Sequence, residues 1–360
     1  MLMVESLLME RNAAATFMQG PVDRILECVE IRIETPNVKT FVFRDLDADG
    51  VLRFVPGQSM MLTLDIAGKR LQRTFSIASS PQASDTLELT IKAQADGRAT
   101  RWLHDALRPG MTLAARYPLG QFQLELDAQS LKPLALVSAG SGASPLMSML
   151  RTLAVHRPDA DVAWFHAARG IGDILFAREL AALQAGMPNL KVSVALSAPA
   201  PGWFGLRGRI SRRLIASTVP DFSLREVYCC GPASFMDEVK RIHAADGARH
   251  AGFHIEHFGA VDPFPAEAAS VRDDGVTHCV TLGDKTFHTH ANETILMAAS
   301  RQNVNIPCGC ASGICGTCKL RCVSGVINMR HQGGLSAEEE ARGFVLACSS
   351  RAASDVTLEF

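Results

Sequence analysis

Six of the chain's ten cysteines fall between Cys308 and Cys348, and their spacing limits what that stretch can become. Cys310, Cys315 and Cys318 stand as C-x4-C-x2-C, and Cys348 follows thirty positions after the third. A secreted disulfide framework would be shorter and more evenly laced. Local crowding points instead to thiolates gathered on metal, and this spacing is that of a two-iron [2Fe-2S] centre. Sulfur in such a centre needs backbone N–H groups turned towards it, and glycines at 309, 313 and 316 let a loop curl without steric strain. Zinc sites built from four cysteines usually carry two close C-x2-C knuckles, and only Cys315 and Cys318 form one here. Cys310, Cys315, Cys318 and Cys348 are therefore the expected metal ligands. Cys308 would stretch the first gap to six residues, so it and Cys322 are expected to be buried, inert thiols.

At 360 residues the chain is long enough for two or three domains. A formal net charge of -1 gives no field to hold nucleic acid. The start, residues 1–19, carries Glu5, Glu10 and Arg11 within a short apolar patch and reads as a flexible tail, not a targeting signal. No run of 18 apolar residues appears, so a membrane span is not expected and a cytoplasmic location follows by default.

Three patterns divide the remainder. Over residues 20–128, apolar and polar positions alternate, first through Val29, Ile31 and Ile33, then beyond a turn at Pro36-Asn37 through Val38, Phe41 and Phe43. Further strand-like runs at 60–66, 72–78 and 86–93, with a helix at 100–107, predict an antiparallel β-barrel. Over residues 129–260, continuous apolar runs at 134–138, 162–166, 192–196 and 226–229 alternate with helical stretches, which predicts an α/β domain with a parallel sheet. Residues 261–273 read as a linker. Residues 274–360 hold the cysteine loop, with strand-like stretches at 286–290, 345–348 and 356–360 and a helix at 294–300.

The order of these last elements resembles the plant-type ferredoxin fold, an α+β β-grasp domain. Arg73-Thr74-Phe75-Ser76 resembles the R-x-Y-S element of the ferredoxin reductase family, with Phe75 in place of the commoner tyrosine. By that resemblance Arg73 pairs with a flavin phosphate, Thr74 and Phe75 line the flavin, and Ser76 hydrogen-bonds near the flavin N5. A guanidinium fork suits a phosphate, and the redox end needs a hydroxyl that responds to protonation. Lys92 through Gly97 to Thr100 resembles the family's second flavin element, where a glycine turn opens a helix onto the pyrophosphate with Thr100 as the cap. No arginine-rich FMN-type variant is evident, so FAD is the expected flavin.

Behind the strand at 134–138, Gly140-Ser141-Gly142 resembles the family's dinucleotide turn, with Pro145 suited to a first helical turn. Arg169 follows the pattern near the dinucleotide. Cys230-Gly231-Pro232 resembles the element beside the nicotinamide, so Cys230 joins Ser76 as an expected catalytic residue, with Gly231 facing the same carbon. Phe258, in Glu256-His257-Phe258-Gly259, stands where these reductases place an aromatic on the flavin ring; packing at a domain seam is the alternative. No basic residue lies in Ser197-Ala-Pro-Ala-Pro201, although Arg207 and Arg209 follow, which favours NADH over NADPH.

Hydride brings two electrons and an iron–sulfur cluster takes one at a time, so a flavin between them is required. The whole chain resembles reductases that feed multicomponent oxygenases. The narrower resemblance is to those serving Rieske-type monooxygenases that demethylate quaternary amines such as glycine betaine or stachydrine. Reductases of hybrid-cluster proteins or of CoA-ester epoxidation, and a non-catalytic flavin and cluster redox sensor, are the alternative readings.

Overall fold

The computed structural model describes residues 21–47, 54–81, 86–95, 97–124, 126, 132–245, 252–258, 277–290, 293–308, 311–314, 316–331 and 333–360. The expected tail and linker lie outside these residues. The described parts form two compact units, one within Met1–Met60, Phe75–Pro118 and Phe122–Phe258, the other within Met61–Thr74, Leu119–Gln121 and Gly259–Phe360.

In chain order, β1 (Val22–Thr35) and β2 (Val38–Asp45) make an antiparallel hairpin around Pro36-Asn37. Proline presets the turn, and Thr35 Oγ1 donates to Asn37 Oδ1 at 3.1 Å. β3 (Ser59–Ile66), β4 (Lys69–Ser76), β5 (Thr86–Lys92), α1 (Arg98–Asp105) and β6 (Thr112–Leu119) follow, with strand order β4-β3-β6-β1-β2-β5. Phe41 and Phe43 are fully buried, as their alternation predicts. Ile33 is not: it is 76% exposed. The register slips between Cys28 and Glu30 and again between Ile33 and Thr35, and an extra residue in one strand moves the side chains beyond it to the other face.

The pattern changes at β7 (Leu134–Ala139), which leads through α2 (Ala143–His156), β8 (Val162–Ala168), α3 (Ala177–Gly186), β9 (Leu190–Leu196), β10 (Leu206–Arg207), α4 (Arg212–Thr218), β11 (Glu226–Cys230), α5 (Ala233–Ala245) and β12 (Phe253–Glu256). These strands are all parallel, in the order β10-β9-β8-β7-β11-β12. Winding reverses between β7 and β11, and such a switch point is where open α/β sheets bind ligands. Both faces are covered. Leu134, Leu136, Val162, Trp164 and Tyr228 pack with the apolar side of α2, while Ala135, Val137, Ala163, Phe165 and Val227 pack with α5. Each large side chain buried this way contributes about 1.5–3 kcal/mol.

In the second unit, β13 (Thr277–Leu282), β14 (Lys285–His290), α6 (Ile295–Arg301), β15 (Lys319–Ser324), β16 (Ile327–Met329), α7 (Ala337–Ala341), β17 (Phe344–Leu346), β18 (Ser350–Ala352) and β19 (Val356–Glu359) build a sheet ordered β14-β13-β19-β15-β17 and a separate β16-β18 pair. Thr294 caps α6, its Oγ1 accepting from the Met297 N–H at 3.3 Å. Ile295, Ala298 and Ala299 turn inward onto Val280, Phe287, Leu320 and Leu346. The predicted strand to Cys348 stops at Leu346, and Cys348 sits on the 3-10 turn Ala347–Ser349. Among the described residues, no helix is long and apolar enough to cross a membrane.

α2 also carries a polar stripe. Ser144 Oγ donates to the Thr90 carbonyl at 3.0 Å, Ser148 Oγ to the Ser79 carbonyl at 2.6 Å, and Thr152 Oγ1 to Ser80 Oγ at 3.1 Å. Arg151 closes the row, donating to Glu88 at 2.8 Å, to Glu179 at 2.7 Å and to the Ala78 carbonyl at 2.9 Å. Positions 144, 148, 151 and 152 share one helix face, so the helix that fills the sheet's core also ties it to β5 and the chain before it. Burial works to raise the Glu88 carboxyl, yet Arg151 and Arg32 hold it below the usual carboxylate range. Removing the guanidinium leaves a mostly buried carboxylate with Arg32 as its remaining cation. Arg151→Ala is expected to lose about 3 kcal/mol in the unfolding transition of this unit, measured by urea titration, and Arg151→Ala/Glu88→Gln to recover part of the loss.

Candidate functional site

Arg73, Thr74, Phe75 and Ser76 all lie on β4. Arg73 is exposed, with Nη1 donating to the Gln72 carbonyl at 2.7 Å. Thr74 Oγ1 is buried with no hydrogen-bond partner among the described residues, a cost that a polar ligand would remove. Ser76 is buried, and its Oγ donates to Glu256 Oε2 at 2.8 Å.

Glu256 is the acidic residue that the sequence reading passed over in favour of Phe258. It ends β12, in register with Cys230 on β11. Burial pushes its pKa up to about 8, the Ser76 hydrogen bond opposing the shift. Cys230 is fully buried, and burial first, then the neighbouring Glu256, raises its thiol well above the ordinary range. Both groups are therefore protonated at neutral pH. The two expected catalytic residues, Ser76 and Cys230, thus meet through a third, a carboxyl poised to give or take a proton near pH 7.

Beside them lies the turn after β7. Gly140 has φ +54° with open space where a side chain would project. A Cβ on Gly142 would lie 2.2 Å from the Cys230 carbonyl oxygen and 2.8 Å from the Gly231 nitrogen, so the turn rests on the Cys230–Gly231 peptide. Gly142, Cys230 and Gly231 are brought together at the switch point, with Gly140 beside them and open where its side chain would project.

The second flavin element differs in detail. Its helix starts at Arg98 with Gly97 at the capping position, and Thr100 lies inside the first turn. Thr100 Oγ1 donates to the Gly97 carbonyl at 3.3 Å and accepts from the Gln94 N–H at 3.1 Å, so its hydroxyl closes the turn and is not the cap. A Cβ on Gly97 would lie 2.3 Å from that oxygen. Lys92 and Arg169 are exposed, and Phe258, two residues past Glu256, is 44% exposed.

In the second unit Cys318 and Cys348 are buried and close: the Cys348 N–H points at Cys318 Sγ at 3.4 Å, and the Gly313 N–H at Cys348 Sγ at 3.2 Å. Gly313 has φ +74°, and a Cβ there would press within 3.0 Å of His331 and Ser349. Backbone donors aimed at sulfur suit thiolates that share an iron–sulfur centre. Cys310 and Cys315 lie outside the described residues. Cys308 and Cys322 pack against the apolar core but are half-buried, not buried as expected.

Hydride chemistry in the first unit and single-electron chemistry in the second define a pyridine-nucleotide-dependent reductase with its own iron–sulfur domain. Three family models match in turn: an oxidoreductase FAD-binding domain over residues 26–124, an oxidoreductase NAD-binding domain over 136–241 and a 2Fe-2S iron-sulfur cluster binding domain over 280–353. The chain is 34% identical over 351 residues to the glycine betaine monooxygenase reductase subunit of Chromohalobacter salexigens, covering 93% of this chain and 95% of that one. It is 32% identical over 340 residues to the stachydrine N-demethylase reductase subunit of Rhizobium meliloti, covering 93% and 96%. Phthalate dioxygenase reductase, described as a modular structure for electron transfer from pyridine nucleotides to [2Fe-2S], shares the fold with a TM-score of 0.59 and 23% identity, covering 95% of this chain and 98% of that one. The chain belongs to this family of reductases, which join FAD-binding, NAD-binding and 2Fe-2S domains in one polypeptide, and it is an NAD(P)H-dependent oxidoreductase.

The Glu256 carboxyl also leaves a mark on stability. Its pKa rises from 4.5 unfolded to about 8 folded, so below pH 4.5 it is neutral in both states and contributes nothing. Between those values only the unfolded chain loses the proton, and folding weakens as pH rises, levelling off above pH 8. Glu256→Gln should therefore be more stable than the parent by on the order of 4–5 kcal/mol at pH 8.5 and by about 1 kcal/mol at pH 5, read from urea unfolding at both. A pH-independent difference would count against the raised pKa.

Proposed function

We propose that this chain takes hydride from NADH and exports single electrons to a separate Rieske-type oxygenase that demethylates a quaternary amine. The observation that supports the partner is the likeness to reductase subunits of glycine betaine and stachydrine systems along almost the whole chain. Both named substrates carry a fully substituted ammonium. In this reading FAD belongs to residues 20–128, the dinucleotide to 129–260 and the cluster to 274–360.

When bound, the flavin accepts hydride and releases electrons singly, and the cluster carries them one at a time. The side chains supply position and protons. Arg73 offers its guanidinium to a flavin phosphate, and Thr74 offers the hydroxyl that lacks a partner. Lys92, Gly97 and Thr100 shape the turn over the pyrophosphate; Gly140 opens the backbone to the dinucleotide, with Arg169 at its rim. Cys230, kept a neutral thiol by burial, would face the nicotinamide without adding a charge there, and Phe258 would cover the flavin ring. Ser76 would hydrogen-bond at the flavin N5 position, and Glu256, bonded to Ser76 and with a pKa raised to about 8, would take up the proton that N5 gives up as electrons leave. Cys310, Cys315, Cys318 and Cys348 hold the two irons.

Anaerobic stopped-flow mixing with NADH should bleach the flavin absorbance first and the cluster absorbance second; an unchanged spectrum would leave a redox sensor. Cys318→Ser should abolish reduction of cytochrome c while keeping most NADH–ferricyanide activity, and equal loss of both would overturn the division of labour. Ser76→Ala should slow hydride transfer by about 100-fold through loss of the hydrogen bond at the N5 position. Purified oxygenase partners are then compared by formaldehyde released from glycine betaine.

A further inference from the structure

Burying a histidine with an unmet ring nitrogen is expensive, and this fold does so at a telling place. His166 on β8 is fully buried, its Nδ1 lies 2.8 Å from Ser138 Oγ, and its Nε2 has no partner among the described residues. Whichever nitrogen carries the proton, Nε2 is left with an unmet donor or acceptor. Such a group costs about 1–3 kcal/mol that a leucine would not. Burial pushes the ring's pKa down to about 4, so it is neutral at working pH.

The strand register shows what this histidine belongs to. Glu256 pairs with Cys230, Cys230 with Ser138, and Ser138 with His166, across β12, β11, β7 and β8. Residues in register on parallel strands put their side chains on the same face. On β7, β8 and β11 that face is otherwise apolar, carrying Leu136, Trp164 and Tyr228 one step earlier. At the carboxyl ends it turns polar on four adjacent strands at once, and the row passes under the switch point. Ser76 joins it at one end through Glu256, and His166 closes the other.

We propose that His166 is a positioning residue for hydride transfer: by holding the Ser138 hydroxyl it fixes the β7 side of the switch point, next to the Cys230 thiol. The inference rests on the reading of Ser76, Glu256 and Cys230 as the hydride site. Ser138 is the last polar group before the Ala139–Gly142 turn, so a slack hydroxyl there would loosen the floor that the turn and Cys230 share. A buried bond to the next strand removes that slack. This accounts for a polar ring where packing alone would select an apolar side chain.

His166→Leu, His166→Asn and Ser138→Ala, singly and as Ser138→Ala/His166→Leu, are compared in the flavin-loaded full chain. His166→Leu and Ser138→Ala are each expected to lower kcat for NADH–ferricyanide by about tenfold, with KM for NADH within about twofold and a larger isotope effect from 4-deuterated NADH. The double variant should lose no more than either single one, because one bond is removed once. His166→Asn, whose amide can still reach Ser138, should recover part of the loss. Calorimetric NAD+ affinity should stay near that of the parent, and the melting temperature should not fall in His166→Leu, where the unmet nitrogen is gone. An unchanged kcat, a multiplicative loss in the double variant, no recovery by asparagine, or a kcat loss that tracks melting temperature would each overturn the proposal. If His166→Leu does not fold, Ser138→Ala and His166→Asn decide it by the same criteria. Should Ser76→Ala and Glu256→Gln leave hydride transfer intact, the reading of the site itself falls; should they slow it while Ser138→Ala does not, only the role of His166 falls.

Discussion

No side chain stands on Gly142, and much of the site depends on that absence. The Cα rests on the Cys230–Gly231 peptide, where even a methyl group would overlap a backbone oxygen. Through this contact the turn leaving β7 is seated on the end of β11, although about ninety residues separate them in the chain. Everything placed by β11 follows: Cys230 directly, Glu256 by register on β12, and Ser76 through its bond to Glu256.

The interior around that seat is polar but uncharged. Burial keeps Glu256 and Cys230 protonated and His166 deprotonated at neutral pH, each for want of solvent around the ionised form. The cysteine loop works on the opposite principle. There, N–H groups from Gly313 and Cys348 point at sulfur, an arrangement that favours thiolates. One chain thus holds proton chemistry and electron chemistry in two differently prepared environments.

Features that depend on neighbours in the chain were legible in the sequence. The cysteine spacing, the Pro36-Asn37 hairpin and the apolar runs of the parallel sheet are each written within a few residues, as is the tight turn at Gly140–Gly142. What depends on register was not. Glu256 and Ser138 become neighbours of Cys230, and His166 of Ser138, only because the strands assemble out of chain order; His166 and Glu256 stand in segments that follow the family pattern, but nothing local marks their own side chains. Ile33 was placed on the wrong face because no local signal marks the register slips that precede and follow it. β6 escaped notice because Ala114, Ala115 and Pro118 blur its alternation. Thr100 was read as a cap, although Gly97 takes that position and turns the threonine inward.

The serines and threonine along α2 give the first unit a particular mechanical character. A greasy helix face can slide and repack with little loss, whereas three hydroxyls and a guanidinium that each reach a group off the helix favour one alignment. Displacement by one turn would break these three links together with the Arg151 pairs, leaving Ser144 and Thr152 only the carbonyls of Ser141 and Ser148. The strands before and after this helix are thereby bound to come apart as one event, so the grip on flavin and the grip on nicotinamide should be lost at the same moment, not in succession.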